Sequence, residues 1–299
     1  MNIPHKPVLL KETVDLFKDI EEGYFIDCTL GFGGHSEAIL KRYPHIKLIG
    51  IDQDKEALEF AKKRLAKFGN RVEFINKRAS EALKEINVPV SGILADIGVS
   101  SYQLDNKERG FTFDSDVLDM RMNKNQTFSA KDVVNFYDRN SLEEVIKKYS
   151  EDRRYKKIVD AIIKNRPIDS NRKLSEILAS IGLKDKKQLA PIFQAIRIEV
   201  NNELNELENI LEESEKIARD KTILGIITFH SLEDRIVKNK FKEWARKCIC
   251  PEEAIKCECG GNNQKGIILT KKPITASKEE IKENPRSRSA KLRGFMFRR

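Results

Sequence analysis

The chain has 299 residues, of which 39% are hydrophobic, and a net charge of +9 with a pI near 9.1. That length can hold one large domain or two smaller ones, with apolar residues enough for a core, and the positive balance points to a polyanionic partner. No run approaches the ~18 apolar residues of a membrane span and no N-terminal stretch has the form of a signal peptide, so a membrane protein is excluded and a cytoplasmic location is expected.

In chain order, Tyr24–Leu30 reads as an apolar strand running into Gly31-Phe32-Gly33-Gly34-His35. A helix follows from about Gly34 to Arg42, then a second strand, Leu48–Ile51, ending on Asp52. Ala57, Ala61, Leu65 and Phe68 share one face of a second helix. Val72–Ile75 is a third strand, and Ser91–Asp96 a fourth that again ends in an acid. From Leu104 to Leu189 no strand is expected. Helices are expected over Ser129–Tyr137, Leu142–Ser150, Arg154–Asn165 and Leu174–Ile181, with Pro167 stopping the third. That stretch is too long for one loop in a compact domain.

A single long helix from about Pro191 to Ala218 carries the apolar stripe Ile196, Val200, Leu204, Leu207 and Leu211. Thr222–Phe229 is a fifth strand, Glu233–Lys247 a helix, and Gly266–Ile274 and Leu292–Phe297 close the chain as strands. The expected fold class is α/β, a parallel sheet with helices on both faces. It is built from residues 1–104 and 190–299 and interrupted by an all-helical domain over 105–189.

Strand, glycine turn, helix, strand and acid in that order make a nucleotide-cofactor layout. Glycines let the backbone approach a ligand, and Asp52 falls where a ribose-binding acid is expected. A P-loop needs Gly-x-x-x-x-Gly-Lys-Ser/Thr, which is absent after Leu30. A dinucleotide turn needs a third glycine, but Ser36 occupies that position. S-adenosylmethionine has no phosphate and asks for backbone room instead, which Asp27-x-x-x-Gly31-x-Gly33-Gly34 offers. Asp52 would accept from the two ribose hydroxyls.

Ligands of an open parallel sheet bind beyond the C-terminal strand ends. Four segments meet there: Gly31–His35, Asp52, Asp96–Ser101 and Phe229-His230-Ser231, with Ala79 after the third strand beside the adenine. Asp96 ends a central strand and can serve the site or cap a turn. His35 can act through its backbone N–H. His230-Ser231 ahead of Glu233 and Asp234 also reads as a helix cap with first-turn acids. No Gly-x-Ser-x-Gly elbow supports a hydrolase.

Of five cysteines, Cys28 belongs to the core. Cys248-x-Cys250 and Cys257-x-Cys259, within a loop spanning 248–260, can hold a structural zinc or form a metal-free loop. Their spacing of one is tighter than the usual two to four. The C-terminal tail carries Arg286, Arg288, Lys291, Arg293, Arg298 and Arg299 without an acid, a strip suited to phosphates.

These segments together resemble one family, the bacterial ribosomal RNA small subunit methyltransferase H family. The resemblance lies in His5-Lys6-Pro7-Val8, Gly31–Ser36, Asp96–Asp105, Arg109–Phe113, Leu118–Met122, Phe193–Ile198, Phe229–Arg235 and Asn284–Arg288, almost the whole chain. It implies a Rossmann-like class I methyltransferase with a helical insert. It also implies S-adenosylmethionine-dependent methylation of N4 of a cytidine in the decoding region of 16S ribosomal RNA, with the small ribosomal subunit as the expected setting. Gly33, Gly34, His35, Asp52, Asp96 and Gln103 are then expected at the methyl donor. Ala79 replaces an aromatic found in many members.

The chemistry needs an acceptor for an amine proton. The Asp/Asn-Pro-Pro-aromatic run of many amino methyltransferases is absent here, where Asp96-Ile97-Gly98-Val99 stands. Asp96 and His230 are the candidate catalytic residues. The helical insert and the Arg-rich tail are candidates for clamping RNA. An NAD-type oxidoreductase and a non-catalytic RNA-binding assembly factor are the competing functions, and both monomer and homodimer are open.

Overall fold

The computed structural model describes residues 7–251 and 256–299; His5 and Lys6 of the first motif, and part of the cysteine loop, lie outside them. The chain forms two compact units, one of residues 1–98 and 206–299, the other of 99–205.

The first unit is built on eight strands: β1 Gly23–Asp27, β2 Ile46–Ile51, β3 Val72–Ile75, β4 Val90–Asp96, β5 Ile223–Thr228, β6 Gly266–Ile268, β7 Ile274–Thr275 and β8 Lys291–Phe297. Their order is β3-β2-β1-β4-β5-β8-β6, with β7 also on β8. The first five are parallel, whereas β8 runs antiparallel to β5, β6 and β7. The parallel sheet expected from the alternating segments is present, and the closing strands make the whole sheet mixed. Hydrophobic alternation fixes which face a residue takes but is blind to strand direction.

Alternate residues of each strand enter different cores, as the period of two requires. Phe25, Leu48, Leu94, Ile223, Ile227 and Leu292 pack with Phe17, Ile39, Leu58 and Leu65. Ile26, Ile49, Ile93, Leu224, Ile226 and Phe295 pack with Leu83, Leu207, Leu211, Phe241 and Trp244. Helices thus cover both faces of a Rossmann-like sheet. The strand order reverses between β1 and β4, whose carboxyl ends carry Asp27 and Asp96; such a reversal opens a ligand crevice.

The second unit is helical among its described residues, with Ala130–Phe136, Arg139–Ser150, Tyr155–Lys164, Asn171–Ser180 and Lys186–Asn201 around one core that includes Leu142, Ile158, Leu174, Ile192 and Ile196. The expected single helix over 191–218 is two. The first begins at Lys186, where Asp185 and Gln188 form a capping box. It ends at Asn202, which is left-handed (φ 52°), and a second helix, Glu203–Ile217, follows. Asparagine tolerates that conformation better than most residues. The apolar stripe divides accordingly: Ile196 and Val200 belong to the helical core, Leu207 and Leu211 to the sheet unit. The unit boundaries therefore fall at 98/99 and 205/206 instead of 104/105 and 189/190.

Candidate active site

The turn after β1 is shaped by left-handed glycines. Gly33 caps the helix Gly34–Arg42 at φ 72°, and Gly31 sits at φ 50°. A Cβ on Gly34 would lie 2.3 Å from Pro7 Cγ, so that position must be glycine.

Three carboxylates hold this edge together. Asp52 Oδ2 accepts from the Gly31 N–H at 2.7 Å and Oδ1 from the Asp54 N–H at 2.8 Å, tying the loop after β2 to the glycine turn. Asp27, at the end of β1, accepts from the Ser36 hydroxyl at 2.6 Å and from the Thr29 N–H at 3.2 Å. The Thr29 hydroxyl accepts from the Asp96 N–H at 2.6 Å, linking β1 to β4. Asp27 opens the glycine run read from the sequence but was not among the residues expected at the site. Its signal was its place as the last residue of β1, the same signal that singled out Asp96.

Asp96 differs from the other two. Its side chain is 18% exposed, yet its Oδ1 is buried and accepts no hydrogen bond. Oδ2 stands 3.7 Å from His35 Nδ1, while His35 Nε2 is 2.8 Å from the Val8 carbonyl. With Nε2–H donating to that carbonyl, the Nδ1 side of the ring is turned to Asp96. Burial, then the charges of Asp27 and Glu233, push the Asp96 carboxyl up to about 8. Burial likewise raises Asp52 to about 7, against the lowering effect of its two N–H donors, and Asp27 to about 6, against Ser36 and Thr29. An orphaned carboxylate oxygen beside paired carboxylates suits a donor molecule carrying hydroxyls and a cationic centre. Each Asp52 oxygen keeps a lone pair for such hydroxyls.

Ala79 is buried at the start of the helix Ala79–Leu83, beyond β3, among Ile26, Ile51 and Ala95. Gln103 lies in the other unit. Its Oε1 accepts from the Ser100 N–H at 3.1 Å, closing a capping box on the helix Ser101–Asp105.

After β5, His230 is the N-cap of the helix Ser231–Trp244, and Glu233 completes the capping box. Glu233 Oε2 accepts from the Phe229 N–H at 2.8 Å and the His230 N–H at 3.3 Å. His230 Nδ1 accepts from the Glu233 N–H at 3.4 Å, and Nε2 lies 2.9 Å from Glu233 Oε1. Nε2 and Oε1, though close, are both buried without a hydrogen-bond partner.

The chain also matches a family model. The match to the MraW methylase family runs over residues 2–298. The chain belongs to that family. Methylase relatives named ribosomal RNA small subunit methyltransferase H include one from Nautilia profundicola, 75% identical across 99% of this chain and 98% of its own. Those from Nitratiruptor sp. and Aliarcobacter butzleri are each 54% identical, over 100% and 99% of this chain and 100% of their own. A solved rRNA methylase from Streptococcus thermophilus aligns loosely, at 9% identity and a TM-score of 0.41 over 98% of both chains.

In the basic C-terminal segment of this methylase, Arg286, Arg288, Arg298 and Arg299 are exposed, but part of it is built into the sheet. Its residues 291–297 form β8, and Arg293, 7% exposed, pairs with Asp234 at 2.7 Å. A separate cleft of about 710 Å³ gathers Lys238, Lys242, Lys247, Lys271, Lys272 and Arg298, with no carboxylate among its lining residues and Phe241 and Pro273 in its wall. No helix among the described residues is long and apolar enough to cross a membrane.

Proposed function

We propose that the chain transfers a methyl group from S-adenosylmethionine to the exocyclic N4 amine of a cytidine in the decoding region of 16S ribosomal RNA, within the small ribosomal subunit. Its methylase family membership and the names of its relatives support small-subunit ribosomal RNA as the substrate. A ribosomal substrate puts the enzyme in the cytoplasm. The observation that carries the chemical reading is the unpartnered Oδ1 of Asp96 at the end of β4, beside carboxylates whose oxygens are already paired.

S-adenosylmethionine supplies an electrophilic methyl group when bound. The chain's own part is placement and proton handling. The turn at Gly33, Gly34 and His35 seats the donor by its backbone, Asp52 accepts from the ribose hydroxyls, and Ala79 packs beside the adenine. The cytosine amine is a poor nucleophile because its lone pair is delocalised into the ring. In-line placement can contribute ~7–11 kcal/mol in favourable cases.

Asp96 accepts an amine N–H, freeing the nitrogen lone pair to turn toward the methyl. A carboxyl raised to about 8 is matched to that task near neutral pH. His35 Nδ1, 3.7 Å from Asp96 Oδ2, stands behind it to share the proton. His230 positions the substrate edge from its place on the helix cap. The target base must be unpaired or flipped to be reached. The lysine-lined cleft supports a polyanionic partner, and binding there should weaken steeply with salt.

Deleting the gene and mapping methylated cytidines in small-subunit RNA by mass spectrometry tests the reading. Loss of one N4-methyl mark in the decoding region is expected, restored by the wild-type gene. An unchanged map overturns it.

A further inference from the structure

The methyl-transfer edge leaves four cysteines unused. They lie in the connection between the helix Ser231–Trp244 and β6. All are free thiols. Their sulfurs converge: Cys248 and Cys257 are 3.6 Å apart, Cys257 and Cys259 3.6 Å, and Cys248 and Cys259 3.7 Å. All four Sγ atoms, that of Cys250 included, lie within 4.8 Å of one another.

These separations discriminate between chemistries. A disulfide brings two sulfurs to about 2.0 Å and leaves the other pair indifferent to it. A tetrahedron of Zn–S bonds of about 2.3 Å has S···S edges of about 3.8 Å. The observed triangle of sulfurs matches the second.

The backbone around the sulfurs is arranged reciprocally. Ile249, between the first two cysteines, donates its N–H to Cys259 Sγ at 3.4 Å. Glu258, between the last two, donates its N–H to Cys250 Sγ at 3.3 Å. Each half of the pair thus supports a sulfur of the other. Such donors orient thiolates and spread the negative charge that four of them bring to a dication.

The loop is also closed at its neck. Lys265 donates its N–H to the Trp244 carbonyl at 2.7 Å, and Asn263 its N–H to the Lys247 carbonyl at 3.0 Å. The Asn263 amide bonds the Cys259 carbonyl at 3.0 Å. The four sulfurs belong to the segment closed by this neck, where Ile249 is 61% exposed.

We propose that Cys248, Cys250, Cys257 and Cys259 form a structural tetrathiolate zinc site that staples the connection from the helix Ser231–Trp244 to β6. A closed set of four protein ligands makes the metal structural, without an open position for catalysis. Soft thiolates in tetrahedral array select zinc over hard cations such as Mg²⁺. Zinc displaces the thiol protons to solvent as it binds, so uptake is coupled to proton release.

The full-length protein, purified and titrated with zinc, should hold one zinc per chain by elemental mass spectrometry. The Cys257→Ser/Cys259→Ser double variant should hold less than a tenth of that. Its S-adenosylmethionine affinity should stay within about threefold of wild type, which shows that the sheet still folds. Cobalt(II) loaded into the wild-type chain should give the intense visible bands of a tetrahedral thiolate site, without recourse to a variant. Thiol reagents should find the four cysteines protected by zinc and released by a chelator. A chain that takes up no zinc in excess metal, that carries iron instead, or whose four cysteines are recovered as disulfides overturns the proposal.

Discussion

Two edges of the sheet unit meet the same crevice and treat their polar groups differently. Beyond β1, β2 and β4, Asp27, Asp52 and Asp96 are buried carboxyls raised to about 6, 7 and 8. One of their oxygens has no partner in the fold. Beyond β5, His230 and Glu233 cap the helix they begin, while His230 Nε2 and Glu233 Oε1 are buried without a hydrogen-bond partner. Both edges bear buried polar atoms without partners; the first sets them among raised carboxyls, the second in a helix cap. Buried polar groups without partners are costly, about 1–3 kcal/mol each, and so they single out the places where chemistry is done.

The largest test of that contrast is Asp96→Asn. The amide keeps the shape and loses the base, so turnover on the ribosomal substrate should fall by about 10²–10⁴-fold even at saturating donor. Near-normal turnover would remove Asp96 from proton handling and erase the difference between the edges.

Next is Asp52→Ala. Hydrogen bonds to a charged group contribute about 1.5–3 kcal/mol, so donor affinity measured by calorimetry should drop by roughly 10–100-fold. Turnover at saturating donor should recover. An unchanged Kd would leave Asp52 as a tie between two loops.

A smaller effect is expected from pH. The three carboxyls bind protons more tightly folded than unfolded, where the ordinary value is 3.8. Their contribution to stability is therefore full below pH ~4 and is lost as pH rises through about 6 to 8. The donor-free Tm should decline over that window. Donor affinity should rise across the same window by several fold, because Asp52 must be ionised to accept two ribose hydroxyls. Calorimetry in buffers of different ionisation enthalpy should register proton release on binding; none, together with a flat Tm, would contradict the raised carboxyls.

The smallest concerns His230. Loss of the cap in His230→Ala should cost about 1 kcal/mol of stability, and His230→Asn should restore it, since asparagine caps well. Donor affinity should hold in both. Turnover should fall in His230→Asn, though far less than in Asp96→Asn. Full turnover there would make His230 a cap alone and the contrast complete.

Much of this was legible in the chain. Apolar runs punctuated by glycine gave β1, β2, β4 and β5, and the last residue or first loop residue after each supplied Asp52, Asp96 and His230. The capping role of His230-Ser231 followed from Glu233 three residues on. Asp27 was not expected at the site because a strand-ending acid one turn before a glycine loop looks like part of the strand. The long helix was misjudged because Ile196 and Leu207 keep one helical period across Asn202, although they belong to different cores.

Local rules settled element type, core face and the glycine turn, because backbone sterics and hydrophobic period act over a few residues. The matching motifs, spread over the chain, settled the family. Only the tertiary structure decided what depends on groups far apart in sequence. It set β8 antiparallel to β5, with Arg293 paired to Asp234, and left Asp96 Oδ1 without a donor. It also drew the four cysteine sulfurs together. Burial and hydrogen-bond satisfaction are properties of the packed chain, and no window of sequence contains them.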